Sequence, residues 1–331
     1  MSMNNLNHAL TRVRHRKGFT LIELLIVISI IAILAGLLIP IVGVVRRRGQ
    51  VTATIMEIQS LKEAIDTYKN SEHGRGDYPP DGSNALVLIK HIEHRFPRIH
   101  TTEMNFLKTQ LGIRSYPNGN VIPQNTLLDP AEALVFFLGG FSDDPRYPFQ
   151  GKGGPASLNR NPGLFDFDPN RLLTTDDGDG FAAYYPRGSD VPFVYFDSRT
   201  YMPRSIYGYA PAAQYPLVYN LPTNPNDVNG VARPYRSDQP REATPDDGYF
   251  FHWVNKNTFQ LIAAGVTNHY GNNILPAPLK GRPTPLTRYQ HYPSGIGPPT
   301  KDGANDGVTY SDGDKSNITS FSQGTLENDI P

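Results

Sequence analysis

The chain has 331 residues, which is enough for one large domain or two ordinary ones. Its 31 basic and 31 acidic side chains give a formal net charge of zero, so the basic surface of a nucleic-acid-binding protein is not expected. Cysteine is absent, which excludes disulfide bonds, thiolate metal sites and thiol nucleophiles.

The first predicted element is a membrane-spanning helix. Residues 19–45 carry a single charged side chain, Glu23, and follow the basic stretch RVRHRKG. A helix needs about 20 apolar residues to cross a bilayer. A cleaved secretory signal is the alternative, but its apolar region is shorter, and the nearest Val-x-Ala site lies at residues 51–53, beyond three arginines. The position of Glu23 indicates a function, because ionisable groups inside a membrane span are costly.

The motif KGFTLIE at residues 17–23 resembles the type IV prepilin signal, which type IV pilins and type II secretion pseudopilins share. The resemblance implies that a membrane-embedded prepilin peptidase cuts between Gly18 and Phe19 and methylates the new amino terminus at Phe19. It also implies a role for Glu23 in subunit assembly. Pro40 lies where members of this family often carry a helix-loosening proline, and proline removes one backbone hydrogen bond and kinks a helix.

Glu23 is expected one helical turn from the new amine of Phe19, about 6 Å along the axis. A buried carboxylate needs a positive partner, and cleavage creates one at the same depth of the membrane. Pairing within one chain satisfies both charges. Pairing with the amine of a neighbouring subunit sets the register of a filament, and the resemblance favours this second alternative.

Beyond the span, the helix is predicted to continue to Asn70 with one apolar stripe, formed by Val51, Ile55, Ile58, Leu61, Ile65 and Tyr68. The stripe is expected to pack on a globular head, and Gly74 and Gly76 are expected to end the helix. The predicted organisation is a leader peptide at residues 1–18, one helix at 19–70 with a membrane-spanning first half, and an extracytoplasmic head at 71–331.

The head is predicted to combine short helices with strands, an α+β arrangement. Helices are expected at residues 84–96 after Ser83, at 103–111 after Thr101 or Thr102, and near 131–140 after Asp129. Strands are expected at 190–198, 248–254 and 258–264, and the Pro- and Tyr-rich stretch from 199 to 247 is expected to be loop. Together with the resemblance, this predicts a pilin-like fold, with one long helix packed on a head that contains an antiparallel sheet.

The C-terminal sequence SDGDKSNITSF, residues 311–321, is similar to the end of major, G-type, type II secretion pseudopilins. In that family an acidic loop holds a calcium ion, so the resemblance makes Asp312, Asp314 and Asn317 candidate calcium ligands. Asn317 departs from the family pattern, because it replaces a carboxylate. Hard cations bind several oxygen ligands on flexible loops, whereas Asp-Gly clusters are more often plain turns. Both alternatives stay open.

The chain is interpreted as an enlarged G-type pseudopilin, held in the inner membrane by a single span with its head in the periplasm. The expected partners are prepilin peptidase, other copies of the chain in a filament, minor pseudopilins, the inner-membrane secretion platform and membrane lipid. No enzymatic activity is expected, since the sequence contains neither a Gly-x-Ser-x-Gly elbow nor a Walker loop. A surface type IV pilus subunit is the alternative. A membrane-anchored enzyme or binding domain is a further one, but it leaves Gly18 and Glu23 without a purpose.

Overall fold

A computed structural model describes the chain in these ranges: residues 18–71, 74–113, 127–155, 160–174, 180–201, 219–220, 229–240, 251–272, 291–295 and 310–331. The chain divides into two compact units, one ending at Arg48 and the other beginning at Gly49. The predicted α+β fold, with one long N-terminal helix followed by antiparallel strands and short helices, is confirmed.

Helix α1 spans Leu21–Asn70, and its first part makes up most of the described N-terminal unit. Every large apolar side chain from Leu21 to Val45 is exposed. Water does not favour an apolar surface of this size, so another environment must cover it. Among the described residues, α1 is the helix that is long and apolar enough to cross a membrane.

The second part of α1 belongs to the head, and its apolar stripe is buried as predicted. Ile58, Leu61, Ile65 and Tyr68 lie in the main core. The helix ends at Asn70, after which the N–H of Gly76 donates to the carbonyl of Lys69 at 2.9 Å. Gly76 has a φ of +90°, which glycine adopts without strain.

Three short helices complete the main core: α2 at Ala85–Arg95, α3 at Thr101–Gln110 and α4 at Ala133–Leu138. The predicted caps are displaced. Asn84 caps α2, because the hydroxyl of Ser83 donates instead to the carboxylate of Asp81. His100 precedes α3, with a ring nitrogen that accepts from the backbone of Thr102. Asp129 caps a turn ahead of α4 rather than α4 itself.

The described part of the head also contains ten short strands and two further α-helices. The strands are β1 Leu172–Thr174, β2 Ala182–Tyr184, β3 Val194–Asp197, β4 Tyr219–Asn220, β5 Val231–Ala232, β6 Arg236–Pro240, β7 Phe251–Trp253, β8 Phe259–Ala263, β9 His291–Tyr292 and β10 Ile318–Thr319. The helices are α5 Ser198–Tyr201 and α6 Asp312–Ser316. The ten strands form four small sheets, in the orders β1-β2, β10-β8-β3, β4-β5 and β7-β6-β9.

The sheet β10-β8-β3 is antiparallel and lies between two layers of apolar side chains. All five residues of its central strand β8 are buried. Leu261 and Ala263 face the main core beside α1, whereas Ile262 faces a second cluster that contains Tyr235 and Tyr270. Successive side chains of a strand point to opposite faces, so a strand covered on both faces is mostly apolar. The exception in β8 is Gln260, whose side-chain amide accepts from the N–H of Tyr235 at 2.7 Å and donates to the carbonyl of Tyr235 at 3.0 Å.

The prediction of loop between residues 199 and 247 was wrong in its described part, which contains β4, β5 and β6. Strand β6 pairs with β7, which is the next strand along the chain, and with β9, which is distant in sequence. Such non-local pairing decides strand formation more strongly than local composition does. Residues 202–218, 221–228 and 241–250 lie outside the described residues, as does the first part of the predicted strand at 248–254.

Candidate processing and assembly site

The predicted processing junction lies immediately before α1. Gly18, Phe19 and Thr20 are exposed and have no regular secondary structure. A Cβ atom placed on Gly18 would meet nothing within 4 Å, so the packing of the chain itself does not require glycine there. Exposed segments without secondary structure are favoured sites of proteolysis. The local geometry therefore suits cleavage between Gly18 and Phe19.

The carboxylate of Glu23 turns back to the N-terminus of its own helix. Its Oε2 atom accepts hydrogen bonds from the N–H of Thr20 at 2.9 Å and from the hydroxyl of Thr20 at 2.7 Å. The N–H of Glu23 in turn donates to the Thr20 hydroxyl oxygen at 3.3 Å. These reciprocal bonds form a capping box, for which Thr-x-x-Glu is the sequence signature. Thr20 is thus the capping partner of Glu23 at this site. It was not identified from the sequence, although the Thr-x-x-Glu signature is present.

This capping box places the carboxylate beside the residue that would carry the new amine. The Thr20 N–H that Glu23 binds follows Phe19 directly in the chain. Thr20 is a neutral partner, so it satisfies hydrogen bonds of Glu23 without neutralising the charge. The geometry leaves both charge partners open, the amine of the same chain and the amine of a neighbouring one.

Pro40 lies within α1, whose backbone is helical from Leu21 to Asn70. Proline has no N–H, so the carbonyl of Gly36, one turn earlier, lacks its usual helical donor. The helix kink at Pro40 stays a prediction.

A charged cluster that the sequence did not indicate joins the second part of α1 to strands β1 and β2 within the head. Arg171, just before β1, makes a bidentate ion pair with Glu57 of α1. Its Nη1 atom donates to Oε2 of Glu57 at 2.9 Å. The hydroxyl of Tyr184 in β2 donates to the same carboxylate at 2.9 Å. Paired guanidinium–carboxylate bonds are both strong and directional. This cluster fixes the rotation of the helix against the β1-β2 hairpin.

The three candidate calcium ligands lie in and directly after α6, and two of them, Asp314 and Asn317, lie close together. The hydroxyl of Tyr235 donates to Oδ1 of Asp314 at 3.4 Å and accepts from the amide nitrogen of Asn317 at 2.8 Å. The side chain of Asp312 is fully exposed and lies 3.8 Å from the ammonium of Lys315. Asp314 is buried, and its Oδ2 atom accepts from the backbone and the hydroxyl of Ser311 at 2.9 and 2.6 Å. The predicted acidic loop is therefore a short helix, because Ser311 and Asp314 form a capping box.

Asn317, the third candidate, is also buried. Its amide nitrogen donates to the hydroxyl of Tyr235 at 2.8 Å and to the carbonyl of Tyr270 at 2.6 Å.

The environment of Asp314 affects its charge. Burial raises the pKa of the Asp314 carboxyl, and the hydrogen bonds from Ser311 oppose that shift. Within the described ranges, no group of three or more His, Asp or Glu side chains is arranged to hold a metal ion. Calcium binding stays a prediction.

Replacing Asp314 with alanine is expected to destabilise the head by roughly 2 kcal/mol, because it removes a cap and leaves buried donors unpaired. Asp312→Ala is the matched control, and it should change stability by less than about 0.5 kcal/mol, since that side chain is exposed. Thermal unfolding of the purified chain, in calcium and in chelator, measures both. If calcium raises the melting temperature of the wild type and both variants lose that increase, the two aspartates are ligands after all.

Comparison with known proteins bears on the N-terminal segment. The prokaryotic N-terminal methylation motif matches residues 13–39 of the chain. The N-terminal segment of the chain is type IV pilin-like. The segment is 48% identical over 52 residues to a fimbrial protein of Pseudomonas aeruginosa, a match that covers 16% of this chain and 34% of that protein. The predicted resemblance to the type IV pilin-like family is confirmed.

Two further relatives match the type IV pilin-like segment. The type IV major pilin protein PilE of Neisseria gonorrhoeae is 39% identical over 72 residues, which are 22% of this chain and 41% of the relative. The type IV wide pilus major component PilA4 of Thermus thermophilus is 49% identical over 61 residues, which are 18% of this chain and 47% of the relative. The chain thus spans less than half the length of these relatives. No solved structure matches the chain.

Proposed function

We propose that the chain is a structural subunit of a type IV pilin-like filament. The observation that carries this proposal is the exposed Gly18–Phe19 junction directly before the exposed, apolar first part of α1, whose N-terminus Glu23 helps to cap. An apolar surface of this length is covered by lipid before assembly and by neighbouring helices in a filament. The relatives of the N-terminal segment are named as pilins, which supports the same conclusion.

In the proposed cycle the chain is the substrate of prepilin peptidase and catalyses no reaction itself. The chain inserts in the inner membrane through α1, with its head in the periplasm. Prepilin peptidase removes residues 1–18 and methylates Phe19, and the amine of one copy pairs with Glu23 of its neighbour. Removal of the leader also takes away its basic residues, which would otherwise have to leave the cytoplasmic face during assembly.

We further propose that the filament is a type II secretion pseudopilus, in contact with minor pseudopilins and the inner-membrane secretion platform. The C-terminal similarity to G-type pseudopilins and the absence of a cysteine pair support this assignment. A surface type IV pilus is the second candidate, because the relatives carry the names of pilus components. The shared segment does not discriminate between the two filaments, since both families have the same N-terminal signal.

Deleting the gene in the source bacterium and restoring it on a plasmid tests the proposal. We expect the deletion to abolish release of secreted proteins into the medium while surface pili remain visible by electron microscopy. Loss of surface pili with normal secretion would assign the chain to a pilus instead. The Gly18→Val variant is the matched negative control, because the chain accommodates the larger side chain but the peptidase site does not. If neither phenotype changes on deletion, the filament proposal is wrong.

A further inference from the structure

Three successive arginines, Arg46, Arg47 and Arg48, stand at the end of the apolar part of α1. All three side chains are exposed, and none of the three guanidinium groups makes a hydrogen bond or an ion pair within the described part of the chain. Along the helix, Glu23 lies about 35 Å before them and Glu57 about 14 Å beyond them, at 1.5 Å per residue. Glu57 is already paired with Arg171. The three charges therefore have no partner among the residues of their own chain that the structure describes.

The position of these arginines matches a membrane surface. Residues 21–45 of α1 extend for about 38 Å, somewhat more than the roughly 30 Å of a bilayer's hydrocarbon core. With the start of the helix at one interface, the arginines reach the headgroups of the opposite leaflet. Their long aliphatic stems can lie against lipid chains while the guanidinium groups stay at the interface.

The angular arrangement argues against a single protein partner. Consecutive residues of an α-helix are separated by about 100°, so three of them cover an arc of about 200°. One neighbouring helix or one flat protein surface meets only part of that arc. Lipid headgroups surround a membrane helix and can reach all three guanidinium groups together.

Basic residues lie at both ends of the span, and this distribution is a further reason to expect an anionic ligand at the three arginines. The leader has four basic residues before the cleavage point, Arg12, Arg14, Arg16 and Lys17, against three at the far end of the span. Basic residues normally favour the cytoplasmic side, so the far cluster opposes the orientation that the leader directs. Phosphate groups offset such charges well, because a guanidinium binds phosphate oxygens with two parallel hydrogen bonds.

We propose that Arg46, Arg47 and Arg48 form a collar that binds the headgroups of anionic phospholipids and fixes the depth of α1 in the membrane. The collar goes beyond the filament role and holds for either type of filament. It rests on the membrane span alone.

The test uses the full chain reconstituted in vesicles, with Val45→Trp as a fluorescent reporter beside the collar and Trp253→Phe to remove the natural tryptophan of the head. Brominated lipids quench tryptophan on contact, so quenching by brominated phosphatidylglycerol and by brominated phosphatidylcholine compares the two lipids at that site. We expect phosphatidylglycerol to be preferred roughly fivefold or more at low salt, about fivefold being the effect of one basic residue near an anionic surface. Salt should weaken the preference.

Two sets of variants make the test specific. Arg46→Gln, Arg47→Gln and Arg48→Gln together should reduce the preference to about one. Arg98→Gln, Lys152→Gln and Lys256→Gln together remove the same charge from exposed positions of the head and should leave the preference unchanged. Inorganic phosphate should weaken the preference no more than chloride at the same ionic strength, because the proposed ligand is a headgroup held in the bilayer.

Four results would overturn the proposal. They are equal quenching by both lipids in the wild type, an unchanged preference in the triple collar variant, a selective loss of preference in free phosphate, and extraction of the chain by alkaline carbonate. The last result would remove the span as well, whereas the first three would leave the filament role intact. A failed collar and a failed filament proposal are therefore distinguishable.

Discussion

Replacing Glu23 with glutamine is expected to abolish filament formation while membrane insertion and cleavage continue. Glutamine can still accept the hydrogen bonds from Thr20, so the capping box at the start of α1 is preserved. The negative charge is lost, and the amine of Phe19 on the neighbouring copy is left buried without a partner. Breaking a buried ion pair in this way costs about 3–5 kcal/mol. Because every subunit repeats the loss, filaments should fall below detection by shearing and electron microscopy.

Thr20→Ala is the complementary variant, since it removes the hydroxyl partner and keeps both the carboxylate and the backbone N–H that donates to it. It should cost only about 1 kcal/mol at the helix terminus, and filaments should still form. If Thr20→Ala abolished filaments and Glu23→Gln did not, the function of Glu23 would be to cap the helix. Normal filaments from both variants would remove Glu23 from the assembly mechanism. Mature protein in the membrane fraction of each variant serves as the control for insertion and processing.

The second large effect is expected at Glu103, a fully buried carboxylate on α3. One of its oxygens accepts from the N–H groups of Phe149 and Gln150 at 2.6 and 2.8 Å, and the other accepts from the side-chain amide of Gln150 at 2.6 Å. Glu103→Ala would leave the two backbone donors unpaired inside the protein. The expected loss is about 3–5 kcal/mol of unfolding free energy, or about 6–15 °C in melting temperature for a domain of this size.

Glu93→Ala on α2 is the matched control for this substitution. Glu93 is also a helical glutamate, but its side chain is exposed, so the change in unfolding free energy should stay within about 0.5 kcal/mol. Near-ultraviolet circular dichroism during thermal unfolding measures both variants. Equal melting temperatures for the two variants would mean that the loop at residues 149–150 does not depend on Glu103.

The sequence predicted the parts of the molecule that local patterns determine. The apolar run, its single carboxylate and the stripe from Val51 to Tyr68 follow from residue spacing, and the structure has the corresponding helix at Leu21–Asn70. Strand β8 also lies where an apolar run predicted it. The cleavage junction stays a prediction, and it too rests on local sequence, because a short motif contains all of its residues.

The remaining features depend on contacts that the hydrophobic pattern of the sequence does not show. Ser83 fails as a helix cap because Asp81 takes its hydroxyl, and strands β5 and β6 form beside partners that local composition does not reveal. The pair of Glu57 and Arg171 joins residues 114 positions apart. The acidic C-terminal stretch was expected to be a loop, but burial of Asp314 and its bonds to Ser311 make it a capped helix. Tertiary contacts override local preference at the strands and at the Glu57–Arg171 pair, whereas a competing local hydrogen bond decides the cap at Ser83.

The most direct test of the central claim is the mass of the mature chain. Intact-protein mass spectrometry of material from the membrane fraction, with sequencing of its N-terminal peptide, measures where the chain begins. Cleavage between Gly18 and Phe19 predicts that the first residue is Phe19 with one added methyl group on its amine. The Gly18→Val variant should retain residues 1–18 and lack the methyl group. A wild-type chain that begins at Met1, or at any residue beyond Val45, would contradict the assignment of a type IV pilin-like subunit.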